Sequence, residues 1–106
     1  MKNPNMIITA EGKTLDELET LFGSFDFEGK TYVAAEEMDR TCELFFGSIH
    51  DAEEGESYLD EWKARGYDED GNEVRITMRF EQIRGSELED DCLPWSKQDA
   101  YRVENA

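Results

Sequence analysis

The sequence predicts an α+β domain, in which a short N-terminal helix packs on an antiparallel sheet with a prominent β-hairpin. Two stretches carry that expectation. From Val74 to Glu81 the chain alternates without a break, Val74, Ile76, Met78 and Phe80 being apolar and Arg75, Thr77, Arg79 and Glu81 polar, which is the period of a strand with one buried face. From Thr14 to Phe22, Thr14 and Glu17 have the spacing of a capping box, and Leu15, Leu18, Leu21 and Phe22 form an apolar stripe. A helix therefore starts at Thr14 and lays one face on the sheet, and Gly23 is placed for a left-handed stop.

The hairpin is argued from register. Asp70-Gly71 is a turn signal, because glycine takes positive φ at no steric cost. With Glu69-Asp70-Gly71 as a three-residue loop, Gly66, Ala64 and Trp62 fall opposite Val74, Ile76 and Met78 on one apolar face. A two-residue loop puts Arg65 and Lys63 there instead, so it is disfavoured. A competing description has Ser57 cap a helix that runs to Arg65, with Gly66 as its C′ residue. The register favours the strand.

The other elements are shorter. Met6 to Ala10 is an apolar run that suits a strand, and Glu11-Gly12-Lys13 turns the chain into the helix. Phe25 and Phe27 alternate with Asp26, and Glu28-Gly29-Lys30 turns into Thr31 to Ala34, a second and smaller hairpin. From Ala35 to Phe46, Met38, Cys42 and Phe45 recur at helical spacing while Cys42, Leu44 and Phe46 alternate; a strand over Thr41 to Phe46 is the favoured reading. Gly47 to Glu56 reads as loop. Pro94 excludes a central strand after Gln82, and Trp95 is expected to anchor that irregular segment, because a tryptophan buries a large apolar area. Ala100 to Val103 suits a final strand, with Glu104 to Ala106 frayed. The expected core is Ile8, Leu18, Leu21, Phe27, Val33, Leu44, Trp62, Ile76, Met78 and Phe80.

At 106 residues the chain is expected to be one domain, 1–106, with enough apolar and aromatic residues for a single modest core. Twenty-seven acids against eleven bases give a formal charge of −16, well beyond the magnitude of roughly 2 to 8 that solubility asks of a small domain. Such a field repels nucleic acid and anionic membranes and attracts basic protein surfaces. The expected partner is thus a basic protein surface, with no direct nucleic-acid or membrane binding. Cys42 and Cys92 lack metal-ligand spacing and His50 is the single histidine, so neither a zinc site nor any other cofactor is expected. MKNPNMIITA has no apolar core of signal-peptide length, which points to the cytoplasm, with reduced thiols.

No arrangement of residues names a reaction. His50 beside Asp51 has only Ser48 as a neighbouring nucleophile, Cys42 reads as a core thiol, and the acids at 89–91 suppress thiolate reactivity at Cys92. The chain is expected not to be an enzyme. A calcium loop around Asp68 to Gly71 fails, because aligning Gly71 with the loop glycine puts Gly66 at the first ligand position and Thr77 at the last; weak divalent-cation binding at Asp68 and Asp70 stays open.

The acids are clustered. Asp51, Glu53, Glu54, Glu56, Asp60, Glu61, Asp68, Glu69, Asp70 and Glu73 lie in one stretch against only Lys63 and Arg65, and Glu87, Glu89, Asp90 and Asp91 follow within five residues. On a strand, same-face carboxylates two apart lie roughly 6.6 Å from each other, a density comparable with a nucleic-acid strand's one charge per about 3.4 Å. These acids, with Tyr67, Tyr58 and Tyr101 as aromatic anchors, are the expected partner-binding surface. A merely solvated acidic surface is the bland alternative.

In size, charge and lack of a catalytic motif the chain resembles the small acidic inhibitors carried by phages and mobile elements, the DNA-mimic anti-restriction and anti-CRISPR proteins. The resemblance implies a protein that occupies the positively charged nucleic-acid channel of a defence nuclease complex, in the host cytoplasm if phage-encoded. It rests on no diagnostic motif and carries over no functional residue. An immunity or antitoxin protein that neutralises a basic toxin, and a divalent-cation-binding module, are the alternatives.

Overall fold

The long hairpin forms in the expected register. In the computed structural model, which describes residues 7–41 and 43–106, β4 (Ser57–Tyr67) and β5 (Glu73–Ile83) pair antiparallel along their whole lengths, with Trp62 opposite Met78, Ala64 opposite Ile76 and Gly66 opposite Val74. The Asp68 N–H donates to the Asn72 carbonyl at 2.9 Å, which closes a three-residue loop with Gly71 at φ 84°. The helical alternative for 58–65 is excluded. Gly66 serves a close approach instead of a helix end: a Cβ there would collide with the Val33 carbonyl oxygen and lie 2.6 Å from Ile76 Cδ1.

α1 (Leu15–Phe22) begins at the expected capping box, in which the Glu17 N–H donates to Thr14 Oγ1 at 3.2 Å and the Thr14 N–H to Glu17 Oε1 at 3.3 Å. Leu15 and Leu18 are buried and Phe22 half-buried, whereas Leu21 is exposed and leaves the predicted core. At about 100° per residue, Leu21 lies on the flank of the stripe formed by the other three. Gly23 has positive φ but extended ψ (89°, 175°), so it ends the helix without the expected left-handed turn. Its carbonyl accepts from the Ala34 N–H at 3.1 Å and ties the helix end to the sheet.

β1 (Ser24–Phe27) and β2 (Lys30–Ala34) form the smaller hairpin, and β6 (Arg102–Asn105) lies outside β5. Together with β3 (Asp39–Arg40), which pairs with β4 beside Lys63 and Trp62, they complete an antiparallel six-stranded sheet of order β1-β2-β4-β5-β6. One face carries the main core, Trp62, Ala64, Val74, Ile76, Met78 and Phe80, closed by Phe25, Leu93 and Ala100. Trp95 anchors the irregular 84–101 segment as expected, its ring edge-on to Phe80 at 4.7 Å and to Trp62 at 5.2 Å. A second cluster joins Leu15 and Leu18 to Val33, Ala35 and Tyr67.

Four expectations are corrected. The strand over Thr41 to Phe46 is absent at every described position, and Leu44 is exposed rather than core. After the Thr41 N–H meets the Glu61 carbonyl (2.8 Å) the chain leaves β4 and returns where Gly47 accepts from the Leu59 N–H (2.8 Å); the intervening excursion turns Phe45 inward and Leu44 and Phe46 outward. Among the described residues the N-terminal strand is a single bridge, Ile8 to Thr14, with Ile8 exposed. Phe27 is only half-buried, at the end of an edge strand. The last strand starts at Arg102 and includes Glu104 and Asn105, which pair with Arg75 and Val74 instead of fraying. The readings of Met6 as strand and Cys42 as core lie outside the described residues.

Candidate protein-binding surface

The hairpin separates the acids that the sequence places in one stretch. β4 spans ten residue steps, about 33 Å, in a molecule whose longest dimension is 49 Å. Residues 51–56 therefore sit at the open end of the hairpin and 68–73 at its tip. With a Debye length of about 10 Å at 0.1 M salt, the two ends act as separate fields.

The acids on β4 itself are not on the surface. Asp60 is buried on the apolar face, where its Oδ1 accepts from Arg40 Nε at 2.9 Å, and its Oδ2 from Arg40 Nη2 and Gln82 Nε2, both at 3.2 Å. This two-pronged grip also raises the Arg40 pKa, the Asp60 hydrogen bond being the main cause. Glu61 is buried on the opposite face, accepting from Arg79 Nε at 2.8 Å and from Thr41 Oγ1 at 3.1 Å. The Arg79 guanidinium lies between the rings of Phe45 and Tyr101, at 4.1 and 3.9 Å from their centroids. Neither strand face thus carries the expected ladder of same-face carboxylates.

Tyr67 is 1% exposed, in the cluster under α1, and cannot be a surface anchor. Burial, then the charges of Glu11 and Glu73, raise its pKa. Tyr58 is also buried, and its hydroxyl donates to Glu87 Oε2 at 2.9 Å. Burial first and that bond second push its pKa up to about 12. The Glu87 pKa is lowered, chiefly by its own backbone N–H and then by the Tyr58 hydroxyl. Only Tyr101, of the three expected tyrosine anchors, is exposed.

At the tip, Asp68 is committed to the loop: its Oδ1 accepts from the Asp70 and Asn72 N–H groups, both at 2.9 Å. Arg65 draws in Glu11 (2.7 Å), Glu36 (3.2 Å) and Glu73 (3.5 Å), and its pKa is raised above the usual arginine value, mainly by the Glu11 bond. Glu69 and Asp70 remain as exposed tip acids.

The open end is the stronger field. The 47–56 loop is tied to it by Gly55 N–H to the Arg84 carbonyl (2.9 Å) and by Arg84 Nη1 to the Ile49 carbonyl (3.3 Å), while Glu87 reaches it through Tyr58. Asp51, Glu53, Glu54, Glu56 and Glu87 are exposed there, with Glu89 on the adjoining segment, whereas Asp90 and Asp91 are exposed beside Arg40 and Trp62, halfway along β4. Among the described residues, the carboxylates of Glu53, Glu54, Glu89 and Asp91 make no hydrogen bond or ion pair. Asp51 holds this surface to its neighbour, its Oδ2 accepting from the Gly47 N–H at 2.7 Å, and the adjacent Phe46 projects with 97% of its surface exposed. The sequence does not announce the exposure of Phe46, because the alternation around it points to a strand. His50 and Cys92 are both exposed.

Among the described residues no group of three or more His, Cys, Asp or Glu side chains is arranged to hold a metal ion, and no helix is long and apolar enough to cross a membrane. Comparison with protein-family models, with curated proteins and with solved structures gives no match to this chain.

Proposed function

We propose that this protein is a binding inhibitor that occupies the positively charged nucleic-acid-binding surface of a protein partner, with a defence nuclease complex as the class of target, by presenting carboxylates in place of backbone phosphates. The observation that carries the reading is the open end of the hairpin, where the exposed acids Asp51, Glu53, Glu54, Glu56 and Glu87 gather on and beside the loop that follows a fully projecting phenylalanine. Charge of that density steers encounter with a cationic surface, while an apolar side chain such as Phe46 supplies the anchor that holds a complex. Like charges so gathered repel one another and reduce stability, and a cationic partner relieves that repulsion on binding.

The test is capture from a cell lysate on immobilised protein at low salt, followed by elution with duplex DNA or with structured RNA. The reading expects basic nucleic-acid-binding proteins among the captured set, released by the nucleic acid that competes for the same surface. Capture of proteins that nucleic acid fails to displace overturns it.

A further inference from the structure

Between α1, the 35–38 connection and the 90–96 segment lies an open cleft of about 730 Å³, within the range of about 300 to 1,000 Å³ common to ligand clefts. Its floor is apolar and aromatic, made by Phe22, Phe25, Met38, Trp62 and Trp95. Every charged residue that lines it is acidic: Glu19, Glu37, Asp90 and Asp91, all of them exposed. Asp90 is shared with Arg40 at 3.5 Å; Glu19, Glu37 and Asp91 make no ion pair among the described residues. An aromatic floor under a ring of carboxylates complements a cation that also stacks. Arginine meets that description better than lysine, because its planar guanidinium is weakly hydrated and lies flat on rings. The protein's own side chains use the same geometry, Arg40 lying 4.5 Å from the Trp62 ring centroid and Arg79 between two rings.

A second, independent feature points to an occupant. Trp62 is 5% exposed, and among the described residues its indole N–H has no hydrogen-bond acceptor. Buried donors are rarely left so, and Trp62 is one of the residues that line the cleft.

We infer that the cleft binds an arginine-bearing extended segment of a protein partner, the guanidinium among the rim carboxylates and its apolar neighbours on the aromatic floor. The inference shares with the proposed function the premise of a cationic partner, and adds a contact apart from the Phe46 surface.

The experiment is an NMR titration of the full chain with a capped pentapeptide, glycine-leucine-arginine-leucine-glycine, and with its neutral citrulline analogue. The chain has two tryptophans, so its two indole N–H resonances report the cleft floor directly. Saturable shifts of both indoles are expected, with the citrulline peptide binding roughly tenfold more weakly. Glu37→Gln with Asp91→Asn should weaken arginine-peptide binding about fivefold. Glu28→Gln with Glu81→Gln, an equal change in charge at exposed sites outside the cleft, should alter it by less than about twofold. Unmoved indoles, equal binding of the citrulline peptide, or equal losses in the two double variants would each overturn the inference. The titration needs no nucleic-acid-binding partner, so its failure and that of the proposed function are read separately.

Discussion

Glu61 and Arg79 face each other across the β4–β5 pair, joined by a 2.8 Å hydrogen bond, with the Glu61 side chain 5% and the Arg79 side chain 17% exposed. Removing Arg79 leaves the buried Glu61 carboxylate with the more distant Lys63 ammonium, at 3.8 Å, as its remaining ion-pair partner. Arg79→Ala is expected to destabilise by about 3 to 5 kcal/mol, measured by urea unfolding. Arg79→Met combined with Glu61→Met should recover most of that loss. A cost below about 1 kcal/mol for Arg79→Ala would mean that the pair contributes no more than a surface ion pair.

Gly66→Ala should destabilise by about 1 to 3 kcal/mol, the usual cost of overpacking. The added methyl group meets the Val33 backbone carbonyl, which no side-chain rotation can move away. Because β2 pairs with β4 only at Val33 and Ala34, hydrogen exchange should rise first in the β1–β2 hairpin. Uniform acceleration across the sheet would argue against a local clash.

Ile76→Ala, at a fully buried site between Ala64 and Val103, should cost about 2 to 5 kcal/mol in the same unfolding assay. A cost under about 1 kcal/mol would show that the apolar face of β5 is not the core.

Tyr58 gives a pH dependence whose sign follows from its shift. Its folded-state pKa, about 12, lies above the ordinary 10.0, so between those values the unfolded chain releases a proton that the folded chain keeps. Its contribution to stability is complete below about pH 10 and is lost as pH rises toward about 12. Tyr58→Phe should flatten that alkaline decline, and the tyrosinate absorbance titration should lose its latest component. An unchanged decline would assign it to other groups.

The hairpin was legible because period-2 alternation and a glycine turn fix register together: a slip of one residue turns Arg65 and Lys63 into the core, so only one pairing survives. The capping box at Thr14 and Glu17 was legible because it is local. Leu44 was misplaced because alternation gives a phase only when one face of the partner is apolar, and the face that Phe45 covers is built on Glu61 and Arg79. The candidate site was legible in its charge and not in its geometry. Counting acids along the chain cannot show that Asp60 and Glu61 point to opposite faces and are paired inside, or that an eleven-residue strand carries Asp51 and Asp70 to opposite ends. Nor does it show that Phe46 is left exposed beside the acids of the 47–56 loop.

The central claim is that the open end of the hairpin, and not net charge, selects a cationic nucleic-acid-binding partner. Its most direct test is lysate capture with three immobilised forms side by side. These are the unaltered chain, a variant with Glu53→Gln, Glu54→Gln, Glu56→Gln and Glu89→Gln, and a control with Glu17→Gln, Glu28→Gln, Glu81→Gln and Glu104→Gln. Both variants lose four charges. The first variant is expected to lose at least about tenfold of the captured nucleic-acid-binding protein, the control to keep most of it, and about 1 M salt, where the Debye length is about 3 Å, to release it from the unaltered chain. Equal losses in the two variants, or capture that persists unchanged in high salt, would contradict the claim.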